Sequence, residues 1–187
     1  MKKLAINISN NLKLLRQKKG WSLDIASKKT GVSKAMLGQI ERSESSPTIE
    51  TLWKIANGFK TSFSSFIEEN SISKKTAVQH TSKLRRIISK DDKIRVIPIF
   101  SYDEKLFFEV FLIELLPGCE HLSRPHKGGI VEHVIAAEGQ IEVFANGIWH
   151  KLKKNEGLRF DANQKHGYRN KSNKKATFYD VIHYPVI

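Results

Sequence analysis

A chain of 187 residues, 40% apolar and with a formal net charge of +13, has material for one large or two small packed domains, which excludes global disorder. Its single cysteine, Cys119, excludes an intrachain disulfide or a cysteine-built zinc cluster within the chain and fits a reducing, cytoplasmic setting. Asn7, Ser9, Asn10 and Asn11 interrupt the apolar stretch after Met-Lys-Lys, against an export signal, and the greasy run 106–116 is too short to span a bilayer and contains Glu109 and Glu114.

The charge is unevenly spread. Residues 1–70 carry 12 basic and 6 acidic side chains, residues 71–93 carry 7 and 2, and residues 94–187 carry 13 and 11. A basic excess confined to the first half points to an anionic polymer, nucleic acid foremost, with solubility alone as the alternative.

In chain order, the first seventy residues predict five short helices. Ile8, Leu12 and Leu15 recur at helical spacing and Gly20 stops the run. Ser22 is placed to cap a second helix, LDIASKK, with Asp24 in its first turn. Gly31 supplies a turn and Ser33 caps a third helix. Pro47 breaks the chain, Thr48 caps a fourth helix that Asn57-Gly58 should end, and SFSSFIEE predicts the fifth. Two helices joined by a glycine turn inside a small basic bundle make a helix-turn-helix. The run SLDIASKKTGVSKAMLGQIERSESSPTIETLWKIANG, within residues 7–68, resembles the phage-repressor-like (XRE) DNA-binding family.

That resemblance implies that the third helix enters the major groove. Met36, Leu37 and Ile40 form the apolar stripe expected to pack inward. Lys34, Ala35, Gly38, Gln39 and Arg42 lie on the other side, and with the cap Ser33 they make the set expected to contact DNA. Gln39 suits bidentate bonding to adenine, Ala35 a thymine methyl, and Lys34 guanine or a phosphate. Arg42 and Ser45 are better placed for phosphates. Gly38 costs about 1 kcal/mol relative to alanine inside a helix and leaves two readings open, close approach to DNA or simple tolerance by the bundle. Ser43 stands where relatives commonly have glycine, at a position suited to the left-handed conformation.

Residues 69–92 are polar and without period, a basic linker in which Lys74, Lys75, Lys83, Arg85 and Arg86 either follow phosphates or form a solvated tether. The expected organisation is therefore a helix-turn-helix domain over 1–68, the linker over 69–92 and a second domain over 93–187.

That second domain predicts only strands: IRVIPIF, LFFEVFLIEL, VEHVIAAE, QIEVFA, IWHKL, GLRF and ATFYDVIHY, with Asn146-Gly147 as a tight hairpin turn. Many short strands without helices indicate a sandwich or barrel. Gly118, then after five residues Arg124-Pro125-His126, then Glu132 and Gly139, with His166 and Asn170 later, resemble the cupin family over residues 94–187. The resemblance implies an all-β double-stranded β-helix barrel. Asn155, Asp161 and Asn163 replace the usual Gly, Pro and Gly of the second half of the pattern, and the glutamate comes slightly late.

Cupins that bind metal use three histidines and the glutamate. Arg124 occupies the place of the first histidine, which leaves His126, Glu132 and His166 for one divalent ion such as zinc, iron, nickel or manganese. His121 or His133 are substitutes, although His133 follows Glu132 directly and points to the opposite face of a strand. Arg124 and His126, two apart, share a face if they lie on one strand, and an arginine fork aimed into a small cavity suits a carboxylate. The ligand set expected is thus Arg124, His126, Glu132 and His166 around a small anionic metabolite, with or without a metal.

The function this implies is a cytoplasmic transcriptional regulator, a homodimer on a double-stranded DNA operator whose cupin domain senses a small-molecule effector, with no catalytic residue and no membrane partner. The alternative is an iron-dependent oxidoreductase with His126, Glu132 and His166 as its triad. An antitoxin-like partner-binding module is a third reading, disfavoured by the ligand-sized second domain.

Overall fold

The computed structural model describes residues 2–67, 84, 86–88, 93–126 and 128–185. The chain divides into two compact units, Met1–Val78 and Gln79–Ile187. Of the basic linker side chains, Lys74, Lys75, Lys83 and Arg85 lie outside the described residues. No helix among the described residues is long and apolar enough to cross a membrane.

The first unit holds α1 (Lys2–Lys18), α2 (Leu23–Thr30), α3 (Lys34–Glu41) and α4 (Ile49–Phe59). Three of these start on the predicted caps. The hydroxyls of Ser22, Ser33 and Thr48 accept from the backbone N–H of Ile25, Met36 and Thr51 at 3.2, 3.2 and 3.1 Å, each satisfying a donor the first helical turn leaves free. Leu12, Leu37, Ile40, Leu52, Ile55, Phe59, Phe63 and Phe66 are buried together, and each contributes about 2 kcal/mol by leaving water.

Two expectations fail here. The fifth helix is absent from the described residues. SSF, at Ser64–Phe66, forms one 3-10 turn, because the serines bond one another (Ser62 Oγ to Ser65 Oγ, 2.5 Å, and Thr61 Oγ1 to Ser65 Oγ, 3.1 Å) rather than supporting a helix. Asn57-Gly58 does not end α4, which runs on to Phe59 and stops at Lys60 in the left-handed region. Gly58 serves packing instead, since a Cβ there would lie 2.6 Å from the Thr30 backbone.

Ser43 does adopt the left-handed conformation (φ 59°) after α3, its N–H bonded to Ile40 O at 3.0 Å and the next N–H, of Glu44, to Gln39 O at 2.9 Å. A non-glycine residue is strained there, so Ser43→Gly should raise the unfolding free energy of the helical unit by about 0.5–1 kcal/mol. Urea denaturation followed by far-ultraviolet circular dichroism measures this, and an unchanged midpoint would contradict it.

The second unit has ten strands among the described residues: β1 (Ile87–Ile88), β2 (Ile94–Asp103), β3 (Phe108–Leu115), β4 (Glu120–Ser123), β5 (Val131–Glu138), β6 (Gln140–Ala145), β7 (Ile148–Lys153), β8 (Gly157–Asp161), β9 (His166–Arg169) and β10 (Ala176–His183). They form a six-stranded sheet, β1-β2-β3-β10-β5-β8, and a four-stranded sheet, β4-β9-β6-β7, all pairs antiparallel. The predicted β6–β7 hairpin turns at Asn146 (φ 52°) and Gly147 (φ 84°). A closed barrel is not what forms. The chain passes from one sheet to the other at corners such as Gly139 (φ 73°), between β5 and β6, and the hydrogen-bond ladders end at the outer strands. The result is two facing sheets around Phe111, Leu115, Val134, Ile141, Val143 and Phe178. Strands β1, β4 and β9 had no counterpart in the sequence reading, and the last two position the site.

Candidate functional site

Two regions gather the residues singled out from sequence. In the helical unit, α3 buries Leu37 and Ile40 and leaves Lys34, Ala35, Met36 and Gln39 exposed, with Ser33 exposed at its cap. Met36 was expected inward but is 38% exposed, and it sits beside Ala35 and Gln39 on the outward face. Gly38 is the converse. It was expected on the outward face but is buried, and a Cβ there would lie 3.1 Å from Arg42 Nη1 and 3.8 Å from Leu23 Cδ1. The glycine therefore makes room for the Arg42 guanidinium.

Arg42, exposed, is held by Glu44 through two bonds of 2.7 Å, and Lys34 Nζ lies 2.8 Å from Asp24 Oδ2. Both cations are free to exchange a carboxylate for a phosphate, because exposed pairs of this kind are worth little. What fixes α3 is Glu41, at its last turn. Its carboxylate takes Arg16 Nε at 2.6 Å and Nη2 at 2.8 Å, while Arg16 Nη1 donates to Trp21 O at 2.8 Å and Ser9 Oγ donates to Glu41 O at 2.6 Å. The sequence reading missed this clamp, although an arginine and a glutamate on two helices of one bundle were legible as residues.

In the second unit, Glu132 on β5 faces inward from the large sheet, between Phe160 of β8 and Ile182 of β10. His166 on β9 faces it from the small sheet, and His126 reaches in from the segment after β4. These side chains are 1%, 1% and 4% exposed. Their ligand atoms lie within 4.8 Å of one another: Glu132 Oε1 is 3.3 Å from His126 Nε2 and 3.5 Å from His166 Nε2, and the two rings sit edge to face at 4.8 Å. Among the described residues neither His121 nor His133 joins this group. His133 lies on the outer face of β5, as alternation requires.

Arg124 does not lie on a strand with His126. β4 ends at Ser123, and Arg124 is exposed while His126 is buried. The two-residue spacing therefore does not place them on one strand face, and they differ in burial. Asn170 is structural: its amide donates to Leu115 O and Lys174 O, and its oxygen accepts from Ser172.

Two further residues, absent from the sequence reading, complete the cluster. Tyr168, two positions after His166 on β9 and so on the same face, donates its hydroxyl to Glu132 Oε2. Asp180, in the middle of apolar β10, lies with Oδ2 3.5 Å from the Tyr168 oxygen. The signals were there, in strand alternation for Tyr168 and in a lone carboxylate within ATFYDVIH for Asp180.

The electrostatics fit a cation. Burial pushes the Glu132 carboxyl up, but His166, His126 and Tyr168 outweigh it and hold it below the ordinary range. Burial lowers His166, against the pull of Glu132 and with the neighbouring His126 adding to the lowering. Burial, with the charge of Glu132 adding, raises Asp180 well above the usual carboxylate range. His166 Nδ1 lies 2.8 Å from Gln164 O, which can only accept, so the ring proton sits on Nδ1 and a lone pair at Nε2 faces Glu132 Oε1. His166 Nε2 and Glu132 Oε1 thus face each other as two atoms that a divalent ion between them would join.

Comparison with known proteins covers nearly all of the chain. Residues 12–66 match the helix-turn-helix family model and residues 111–182 the cupin domain model. The chain is 43% identical over 185 residues to the HTH-type transcriptional regulator SutR of Escherichia coli (strain K12), covering 99% of each. It is 39% identical to an HTH_3 family transcriptional regulator from Vibrio cholerae of known crystal structure, with a TM-score of 0.83 and 98% of each chain covered. A cupin domain from an XRE family transcriptional regulator of Enterobacter cloacae is also 39% identical, spanning 50% of this chain and 99% of that one, with a TM-score of 0.49.

Proposed function

Because this chain belongs to the XRE-type helix-turn-helix transcriptional regulators that carry a cupin domain, we propose that α3 reads operator bases through Lys34, Ala35, Met36 and Gln39 and that the cupin unit senses a small-molecule effector at His126, Glu132 and His166. The observation that supports the first part is the division of α3 into a buried face, Leu37, Gly38 and Ile40, and an exposed face, Lys34, Ala35, Met36 and Gln39, on a capped, clamped helix. Gln39 pairs with adenine through its amide, Ala35 and Met36 meet thymine methyls, and Lys34 and Arg42 leave Asp24 and Glu44 for phosphates. One eight-residue helix reads few bases, so the binding form is a homodimer on two half-sites about 34 Å apart.

The second part rests on the convergence of two imidazole nitrogens and one carboxylate oxygen in a buried site. His126, Glu132 and His166 would hold one divalent ion, zinc, iron, nickel or manganese, and that ion would supply a Lewis-acidic centre for an anionic effector. Arg124, exposed two residues before His126, adds positive charge near that ligand. The relative that matches along the full length is a transcriptional regulator, which favours regulation over the oxidoreductase reading.

The DNA-reading part is tested on Gln39→Ala. Fluorescence anisotropy on DNA flanking the protein's own gene should show specific affinity falling by about 10-fold, through the loss of roughly 1–3 kcal/mol of base discrimination. Affinity for random duplex and the salt dependence should stay as they were, because no phosphate contact is lost. A uniform fall on both DNAs would contradict base reading by Gln39.

A further inference from the structure

The two oxygens of Glu132 are not equivalent. Oε1 is the atom that both His126 Nε2 and His166 Nε2 face, at 3.3 and 3.5 Å. Oε2 accepts the Tyr168 hydroxyl. Tyr168 is 4% exposed, its ring lies 4.8 Å from that of Phe178, and its oxygen is 3.5 Å from Asp180 Oδ2, so the hydroxyl is held where it is by the wall behind it. One strand, β9, thus delivers a donor atom of the triad from His166 and, two residues on, the group that ties up half of the opposing carboxylate.

We propose that Tyr168 is a positioning residue that restricts Glu132 to one donor oxygen, so that the triad offers an ion three donors and leaves coordination positions for a small anionic ligand. This rests on the metal-binding reading above. A carboxylate with both oxygens free can chelate through both. With Oε2 engaged, chelation requires breaking a buried hydrogen bond and leaving the Tyr168 hydroxyl without its acceptor, which is costly away from water. Ions suited to two imidazoles and a carboxylate take about four to six donors, and three from the protein leave at least one open. The ligand class follows: a small molecule with an anionic oxygen or nitrogen donor that binds through the ion itself. The effector would then be recognised by coordination, with Arg124 outside the cluster contributing charge rather than a clamp.

The test uses the full-length protein loaded with Co(II), whose visible absorption reports coordination number and ligand exchange, and azide as the anionic probe. For the wild type, the Co(II) bands should shift on adding azide in a saturable manner. In Tyr168→Phe, Glu132 closes on the ion with both oxygens, so azide affinity should fall by about 10-fold and the azide-free spectrum should already move toward higher coordination. Identical spectra and azide affinities in the two proteins would overturn the role of Tyr168 while leaving the metal reading intact. A wild type that takes up no Co(II) would overturn both. Should Tyr168→Phe fail to fold, X-ray absorption at the cobalt edge of the wild type decides the same point: one-oxygen carboxylate ligation supports the inference and two-oxygen ligation overturns it.

Discussion

Replacing Glu41 by alanine lowers the unfolding free energy of the helical unit by roughly 3 kcal/mol, the lower end of the cost of breaking a buried ion pair from one side. The lower end applies because the Arg16 and Glu41 side chains retain 16% and 8% of their exposure. The loss is large because Arg16 keeps its charge in a site shaped for the fork, with the Trp21 carbonyl, at 2.8 Å, as a remaining partner among the described residues. A domain of this size has little more stability than that to spare, and the last turn of α3 loses its tie to α1, so specific DNA binding falls with the fold. Urea denaturation of Glu41→Ala beside wild type, with operator affinity measured in parallel, checks both. The double replacement Arg16→Met with Glu41→Leu should recover much of the stability, since no unpaired charge remains. Equal losses in the single and double variants would mean that the pair matters as packing and not as charge.

Gly167→Ala disables the cupin site without touching the helical unit. A Cβ on Gly167 would lie 2.4 Å from His121 O, 2.8 Å from Leu122 Cδ2 and 3.1 Å from Leu122 Cα. The first and last of these are backbone atoms, so no rotamer change relieves the clash, and β4 must move away from β9. Overpacking of this kind costs about 1–3 kcal/mol. The functional cost is larger, because His126 follows β4 by three residues while His166 precedes Gly167 directly on β9. Separating the strands separates two of the three donors proposed for the ion. The variant should bind Co(II) at least about 10-fold more weakly than wild type, while its affinity for random duplex DNA stays unchanged. Undiminished Co(II) binding would show that β4 and β9 do not set the geometry of the site.

Most of the helical unit was legible because its signals are local. Ser22, Ser33 and Thr48 cap the helices they were expected to cap, since a cap depends on residues within one turn. The misreadings came where a neighbour in space decided the outcome. Gly58 looked like a terminator and is a packing residue against Thr30. Gly38 is buried with the Arg42 guanidinium and Leu23 against it, and Met36 is exposed instead. SFSSFIEE had apolar residues enough for a helix, but its serines bond one another. In the strand-built unit, alternation placed Glu132 inward and His133 outward correctly. It misplaced Arg124, because the strand ends one residue before it.

The sequence by itself determined the two-unit plan and the caps of α2, α3 and α4, which rest on local pattern, and it carried the two family resemblances, of which the cupin one implied His126, Glu132 and His166. Only the tertiary structure decided which Glu132 oxygen faces the histidines, that Tyr168 and Asp180 stand behind it, that Arg124 is exposed while His126 is buried, and that Arg16 and Glu41 clasp each other. These pairings join residues on different elements, separated by as few as 6 and as many as 36 positions, with no fixed spacing between them. A period of two or of 3.6 residues says which face a side chain takes, but not what it meets there.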